Sequence, residues 1–409
     1  MAAQVYIDGV EIIPPVGSGT SAISGSSTRR LNRPSVATIT VPNDLAIGGA
    51  GSRLKVVING TLHHHGRVML CETNPQEDTG YTVYNSEDPL ELWKWRPCRD
   101  YFGDTPGNLV DPSFLIRNWP LKTTGPEIIH EIMLASEFPA GVPEIAEGPL
   151  FLEFGTFATG GPDLSGAPAT FPISMADMAS FLTSTGVLDI VITPIDTGGN
   201  MGRIDVYNSP YGTDRRGSLI FEYGMGQRNI RDLRWIEDMS NLSNKIQYFF
   251  GPKESVTRYK GNITGDDPCL DLQLGAANIA ALQIKRLASR TTYGTRFEFQ
   301  EFEVGTLARE QQPQGTCVFL DPTRSAYRQL WFWESNIRLM PRNLFTMTPT
   351  RETAINAFDI GDLVTVRCTP LVRGGFDGFQ RVYEYTVSWD NQGVLALTDF
   401  VTSPDQEGF

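Results

Sequence analysis

The 409-residue sequence has no apolar run approaching the roughly 18 to 20 residues of a membrane span, so no spanning helix is expected. Its opening stretch, Met1 to Gly9, has neither a charged leader nor an apolar core, which argues against a secretory signal. Cysteine is scarce. Cys71, Cys98, Cys269, Cys317 and Cys368 lie far apart, and an odd number without paired spacing speaks against both a disulfide framework and a zinc site. They read as reduced, mostly buried thiols of a protein made in a cytosol. Histidine is scarcer still, with four. His63, His64 and His65 are consecutive, and on a strand the period of two puts His63 and His65 on one face. No Asp, Glu or Cys stands at ligand spacing before Cys71 and Glu72, so a polar strand is the simpler reading. His130-Glu131 lacks the second histidine of a zinc-protease helix.

Catalytic signatures are missing as well. There is no Gly-x-Ser-x-Gly elbow. Gly17-Ser-Gly19 is not followed by the Lys-Ser/Thr of a phosphate loop, and Gly224-Met-Gly226 lacks the third glycine of a dinucleotide fingerprint. Both read as turns. With 47 acidic residues in the chain, no carboxylate pair stands out as a glycosidase site. Trp93, Trp95, Trp331 and Trp333 could stack on sugars, but their spacing suits a core better. The chain is expected not to be an enzyme and to need no cofactor or metal.

Lys and Arg are absent from Thr123 to Gly202. That stretch carries ten acids, from Glu127 and Glu131 to Asp189 and Asp196, and supplies −10 of the net charge of −13. Residues 1–122 contribute −1, residues 203–345 +3 and residues 346–409 −5. A chain this acidic does not hold nucleic acid by neutralising phosphates. The acidic block is expected to be solvated, or to pack against a basic surface of this chain or of a neighbour.

What the chain does contain is β signal. Forty Gly and 27 Pro suit many short strands joined by turns. Asp8-Gly9 and Asn59-Gly60 each separate two β-rich runs and predict type I′ hairpins. Gly17 to Thr28 reads as a flexible loop. Strands are expected at Ser35 to Val41, Leu54 to Ile58, Leu62 to Met69 and Tyr81 to Tyr84, then a helical turn from Pro89 to Trp95. Pro126 to Glu137 reads as an amphipathic helix with Ile128, Ile129, Ile132 and Met133 on one face. A second helix begins at Ser174, with Asp177 completing a near capping box and Gly186 ending it. Between these helices, residues 138–172 form a Gly- and Pro-rich segment holding Phe151, Phe154 and Phe157. Their spacing suggests an apolar ridge that contacts another protein.

Strands resume at Val187 to Ile192, Arg203 to Tyr207, Leu219 to Tyr223, Ile230 to Ile236 and Lys245 to Phe249. A helix is expected over Ala276–Thr291, with Ile279, Leu282, Ile284 and Leu287 among its apolar residues, and another over Ser325–Glu334. The end returns to alternation at Ile360 to Arg367 and Tyr383 to Trp389, with a turn after Asp390. The expected fold is a mixed, β-rich α+β chain in four parts. These are an N-terminal β-barrel at 1–95, an acidic helix-containing domain at 96–200, a mixed α/β domain at 201–345 and a C-terminal β-barrel at 346–409. The two β ends could be similar modules.

The order of several motifs carries a resemblance. Ser27 to Ser35 leads into a strand, then into Gly66-Arg67-Val68, then into Asp88-Pro89-Leu90. Arg203 to Tyr207 with Gly212-Thr213-Asp214, Asn229 to Asn244, and Ile360 to Val366 follow. This succession resembles the tail hub, or minor tail, proteins of long-tailed actinobacterial phages. The resemblance implies a homotrimer whose two barrels per subunit build a pseudo-six-fold ring continuing the tail tube. The implied partners are the distal tail protein, the tape measure protein and the tip or fibre proteins, with DNA passing only in transit. The implied location is the virion, after assembly in the host cytoplasm. The alternatives are a carbohydrate-binding or carbohydrate-cleaving tail-tip protein and another β-rich minor tail protein.

Overall fold

Turn chemistry sets the first pairings. In the computed structural model, Asp8 and Gly9 have φ of 49° and 81° and join β1 (Ala3–Ile7) to β2 (Val10–Glu11). Asn59 and Gly60, at 53° and 79°, join β5 (Arg53–Ile58) to β6 (Thr61–Asn74). Two successive left-handed residues are what a type I′ hairpin needs. The residues described are 3–12, 23–75, 80–96, 124–137, 150–162, 164, 174–224, 226, 228–250, 275–302, 332, 335–350, 357–370, 372–390 and 395–404.

Three more strands complete a first module: β3 (Ser24–Arg30), β4 (Val36–Pro42) and β7 (Tyr81–Glu87). Their spatial order is β3-β4-β7-β6-β5, every neighbour antiparallel. A second module is built from β12 (Ile230–Asp238), β15 (Arg342–Pro349), β16 (Leu363–Cys368), β17 (Phe376–Trp389) and β18 (Leu395–Pro404). Its order is β12-β15-β18-β17-β16, again antiparallel throughout. Taken in chain order, the five strands of each module occupy the same five places.

The correspondence reaches single residues. The fourth strand, β6 or β17, is 14 residues long in both. Both shift register against the last strand at a matching point, between Val68 and Leu70 or between Val382 and Glu384, and β17 shifts once more, between Thr386 and Val387. Just before that point Val68 exchanges backbone bonds with Gly51 and Ser52, at 2.8 and 2.9 Å. Val382 does the same with Gly361 and Asp362, at 2.7 and 2.9 Å. Arg67 and Val68 therefore stand where Arg381 and Val382 stand.

The modules are not separate. The second half of β17, Glu384 to Trp389, pairs with β3 from Arg30 back to Gly25. One thirteen-stranded sheet results, with β12 and β2 at its ends and β11 (Ile220–Tyr223) parallel to β16. Ile39, Val56 and Tyr84 of the first module share one core with Phe345, Val366 and Phe400 of the second. The barrels expected at the two ends are thus five-strand modules of one open sheet, and none closes among the described residues. Position 346 falls inside β15, and the second module takes its first strand from Ile230–Asp238.

A second core lies under the middle of the chain. It joins the 3-10 helix Pro89–Trp95, α1 (Gly125–Glu137), α2 (Met175–Ser184) and a small sheet. The sheet order is β8-β10-β9, from β8 (Leu152–Phe157), β9 (Leu188–Thr197) and β10 (Asn200–Asn208). Ile128, Ile129, Ile132 and Met133 are buried, as their helical spacing predicts. Ser174 and Asp177 form the full reciprocal capping box.

Further on, β13 (Lys245–Phe250), α3 (Ala276–Tyr293) and β14 (Phe297–Phe302) make a parallel βαβ unit. Here the expected stripe is corrected. Ile279 and Leu282 are buried, but Ile284 and Leu287 are 71% and 65% exposed. Arg286 and Arg290 fix the rotation of the helix instead, both donating to the Asn244 carbonyl. The helix expected over Ser325–Glu334 and the turn after Asp390 lie largely outside the described residues.

Strand crowding yields a direct prediction. A Cβ on Gly66 would lie 2.1 Å from the Glu87 carbonyl oxygen across the β6–β7 pair. The backbone there has no room to yield without breaking the ladder. Gly66→Ala should destabilise the chain by about 2 kcal/mol or more, read as a shift in the urea midpoint. Gly49→Ala, whose Cβ meets nothing within 4 Å and whose φ lies outside the left-handed region, controls for glycine replacement itself.

Candidate assembly site

The seam between the modules is made by a strand with little apolar character. β3 is Ser-Gly-Ser-Ser-Thr-Arg-Arg, which offers backbone pairing and small side chains. Small size is required at Gly25, where a Cβ would meet the Thr38 carbonyl at 2.6 Å and the Trp389 ring at 2.8 Å. Buried hydroxyls close the seam: Thr28 and Thr386 lie 2.8 Å apart, and Ser27 meets His63 Nδ1 at 2.8 Å. At its end Arg30 pairs with Glu384 at 2.8 Å, and Arg29 pairs with Asp359 at 3.2 Å. This strand corrects the flexible loop expected over Gly17–Thr28, at least for its described part from Ile23 onward. Sequence patterning weighs apolar alternation, whereas β3 is held by backbone bonds on both edges.

Beside the seam sits the most deeply buried ion pair among the described residues. Arg381 and Asp189 have side-chain exposures of 1% and 3%, and Arg381 Nη2 reaches Asp189 Oδ2 at 2.8 Å. Arg381 Nε also donates to the carbonyls of Tyr211 and Gly361, at 3.0 and 3.2 Å. Asp189 in turn accepts from Tyr211 N at 2.9 Å and from Asn32 Nδ2 at 2.9 Å. Asn32 Oδ1 accepts from Ile190 N at 2.7 Å. Residues from the first module (Asn32), the small sheet (Asp189) and the second module (Arg381) thus meet in one buried knot. The neighbouring Asp362 accepts from Thr213 N at 2.8 Å and from Arg215 at 2.5 Å. In low-dielectric surroundings such a network is worth much when complete and is damaging when broken.

Arg67, in the corresponding place of the first module, also reaches the small sheet. Its guanidinium lies 4.3 Å from the centre of the Phe151 ring, and that of Arg53 lies 5.5 Å away. Each module therefore fastens to the same small sheet through its Arg-Val position, once by an ion pair and once by a cation–π stack. Phe151 has a φ of 58°, a left-handed conformation that turns its ring toward these arginines.

Of the three sequence-predicted phenylalanines, the fold brings two together. Phe154 and Phe157 lie on β8 with ring centroids 6.2 Å apart, and His130 of α1 packs against both at 5.7 and 4.7 Å. Both are half-buried against the helical core. The segment 138–172 thus contains a strand paired parallel to β10, where the sequence showed only an irregular stretch.

The acidic block also proves partly used up inside the molecule. Asp189 is neutralised by Arg381, and Asp196 pairs with Lys55 of the first module at 2.8 Å. Glu127 and Ser174-Asp177 serve helix starts, with Glu127 accepting from Thr124 N at 2.7 Å.

The histidine run is a packing feature. His63 and His65 face the seam and β9, where His65 Nδ1 lies 2.6 Å from the Ile195 carbonyl. His64 turns to the other side, 3.0 Å from Ser86 Oγ. Burial pushes His63 and His64 down to about 3, so both are neutral. No group of three or more His, Cys, Asp or Glu side chains that could hold a metal ion occurs among the described residues. Nor does any described helix have the length and apolarity to cross a membrane.

No protein-family model matches this sequence, and no curated protein matches it by sequence. Solved structures do match the fold along nearly its whole length. A tail protein from Neisseria meningitidis MC58 aligns over 99% of this chain and 96% of its own, with a TM-score of 0.54 at 12% identity. The 43 kDa tail protein of prophage MuSo2 from Shewanella oneidensis aligns over 98% and 97%, with a TM-score of 0.54 at 14% identity. Prophage tail protein gp18 from Listeria monocytogenes EGD-e aligns over 100% and 96%, with a TM-score of 0.54 at 10% identity. At such identities the likeness is one of fold, which this chain shares with these tail proteins along nearly its whole length.

Proposed function

We propose that this chain is a structural tail protein of a phage, acting as the hub between the tail tube and the tip. The observation that carries the reading is the duplicated five-strand module. A subunit with two like modules can fill two like places in a ring, so three subunits make six nearly equal positions. In that ring the open modules complete tube walls against their neighbours. The ring meets the distal tail protein on one side and tip or fibre proteins on the other. Its lumen passes the tape measure protein and then DNA. Phe151, Phe154 and Phe157, each only half-buried, are assigned to contacts with another tail protein. The protein belongs to the virion after assembly in the host cytoplasm, and its resemblance to hub proteins of actinobacterial phages suggests that host range. No enzymatic role is assigned.

Native mass measurement and image averaging of the assembled protein test this reading. A trimer with pseudo-six-fold averages is expected. A true hexamer would point to a distal tail protein instead. Release of saccharide from host cell-wall glycan would replace the hub with a carbohydrate-cleaving tip protein.

A further inference from the structure

The two modules differ in one respect, and the difference exposes a vacant place. In the second module the fourth strand, β17, has two partners along one edge. β16 covers Phe376 to Arg381, and β3 of the other module covers Glu384 to Trp389. In the first module the fourth strand, β6, has β5 along Thr61 to Arg67. Beyond that, from Met69 to Asn74, no described strand pairs with this edge. At the far end of the sheet β12 pairs with β15 alone among the described strands, which leave its outer edge unpaired too. β12 stands in its module where β3 stands in the first.

We propose that a second copy of this chain lays its β12 along the open edge of β6, from Leu70 to Asn74. This rests on the ring reading above and names the contact that would close it. The seam inside one chain is the template, so the register follows by correspondence. Glu384 pairs with Arg30 and Trp389 with Gly25 in the seam. Leu70 occupies the place of Glu384, and Asp238 that of Arg30. Cys71 then lies opposite Glu237 of the second copy, Glu72 opposite Ile236, Thr73 opposite Trp235 and Asn74 opposite Arg234.

Three further observations agree with this contact. Cys71 and Trp235 both pack against the shared sheet core, so Cys71 and Glu237 fall on the same face, as directly opposed residues must. A slip of one residue would set core-facing side chains against solvent-facing ones. Among the described residues no strand covers the β6 edge, whose one charge between Met69 and Asn74 is Glu72 and which meets proline only past its end, at Pro75. Met69 and Leu70, side by side at the register shift, are 41% and 55% exposed, and Met239 beyond the end of β12 is 36% exposed. The contact is head to tail, with different surfaces on the two partners, and such contacts close into rings when the rotation allows.

Opposed residues of antiparallel strands lie about 4.5 to 5.5 Å apart at Cα, within disulfide range. Cys71 is a free thiol, so one substitution, E237C, supplies its partner. The full-length variant is treated with a mild thiol oxidant, and linked peptides are identified by mass spectrometry. The expected result is a ladder of covalent oligomers joined through residues 71 and 237 of different copies. The ladder should vanish in E237C combined with C71S. Absence of the 71–237 link overturns the proposal whatever the oligomeric state. Rings without the link would leave the hub reading standing and discard this contact; no rings and no link would discard both.

Discussion

Arg381→Met should lower the stability of the folded chain by about 3 to 5 kcal/mol, because it leaves the Asp189 carboxylate buried with no cation. The loss should far exceed that of any exposed pair in the molecule. Asp189 would keep only its bonds from Tyr211 N and Asn32 Nδ2, and the carbonyls of Tyr211 and Gly361 would each lose a donor. Arg30→Met is the comparison. It removes a seam ion pair whose partners are 31% and 27% exposed, where solvent screening holds the effect to about 1 kcal/mol or less. Combining Arg381→Met with Asp189→Asn should restore part of the loss, since no bare charge is then buried. Urea denaturation of the four proteins measures this. If Arg381→Met proved no worse than Arg30→Met, the buried knot would not be what fastens the second module to the small sheet.

The second large effect is one of pH. His64 is fully enclosed, and burial with the neighbouring His65 lowers it from about 6.5 to about 3. A base with a lowered folded pKa binds its proton more readily in the unfolded chain. Stability from this group is therefore complete above about pH 6.5 and declines as pH falls toward 3. The decline is about 1.4 kcal/mol per pH unit for one such histidine, or about 2 kcal/mol by pH 5. His63, likewise lowered to about 3 by burial and by Arg29, adds a parallel loss. Asp88 and Glu87 act in the opposite sense, because burial raises them to about 6 and about 7 and they take up protons in the folded chain. A difference measurement separates these effects. His64→Gln keeps a donor and acceptor near Ser86 without an acidic titration. The gap in urea midpoint between His64→Gln and the unaltered chain should swing in favour of the variant as pH is lowered from 7 to 5. Parallel pH profiles would mean that His64 is not held neutral by burial.

Much of the local structure was legible beforehand, for reasons confined to neighbouring residues. Asp8-Gly9 and Asn59-Gly60 predict their hairpins because two adjacent left-handed residues admit few sequences. The helices at 125–137 and 175–184 follow from an apolar period and from Ser174 with Asp177. Longer-range features were not legible in the same way. β3 has no alternation to find, since its place depends on β4 and β17, which lie on either side of it in space but 350 residues apart in the chain. Nothing in the spacing of Phe154 and Phe157 points to His130, which α1 brings against both. Ile284 and Leu287 look like core until Arg286 and Arg290 bind Asn244 and set the helix rotation. Arg381 and Asp189 have no sequence signature at all, because an ion pair between positions 192 apart depends only on folding.

The same division applies to function. Composition and turn motifs were enough to read a β-rich, acidic chain, because glycine, proline and charge content and two-residue turns are local properties. How the two β ends relate depended on tertiary pairing. It made them copies of one five-strand module, joined through β3 and β17 into a single sheet, and among the described strands left one edge of β6 and one of β12 unpaired. Strand order and free edges are properties of backbone pairing, which side-chain patterns restrict but do not specify.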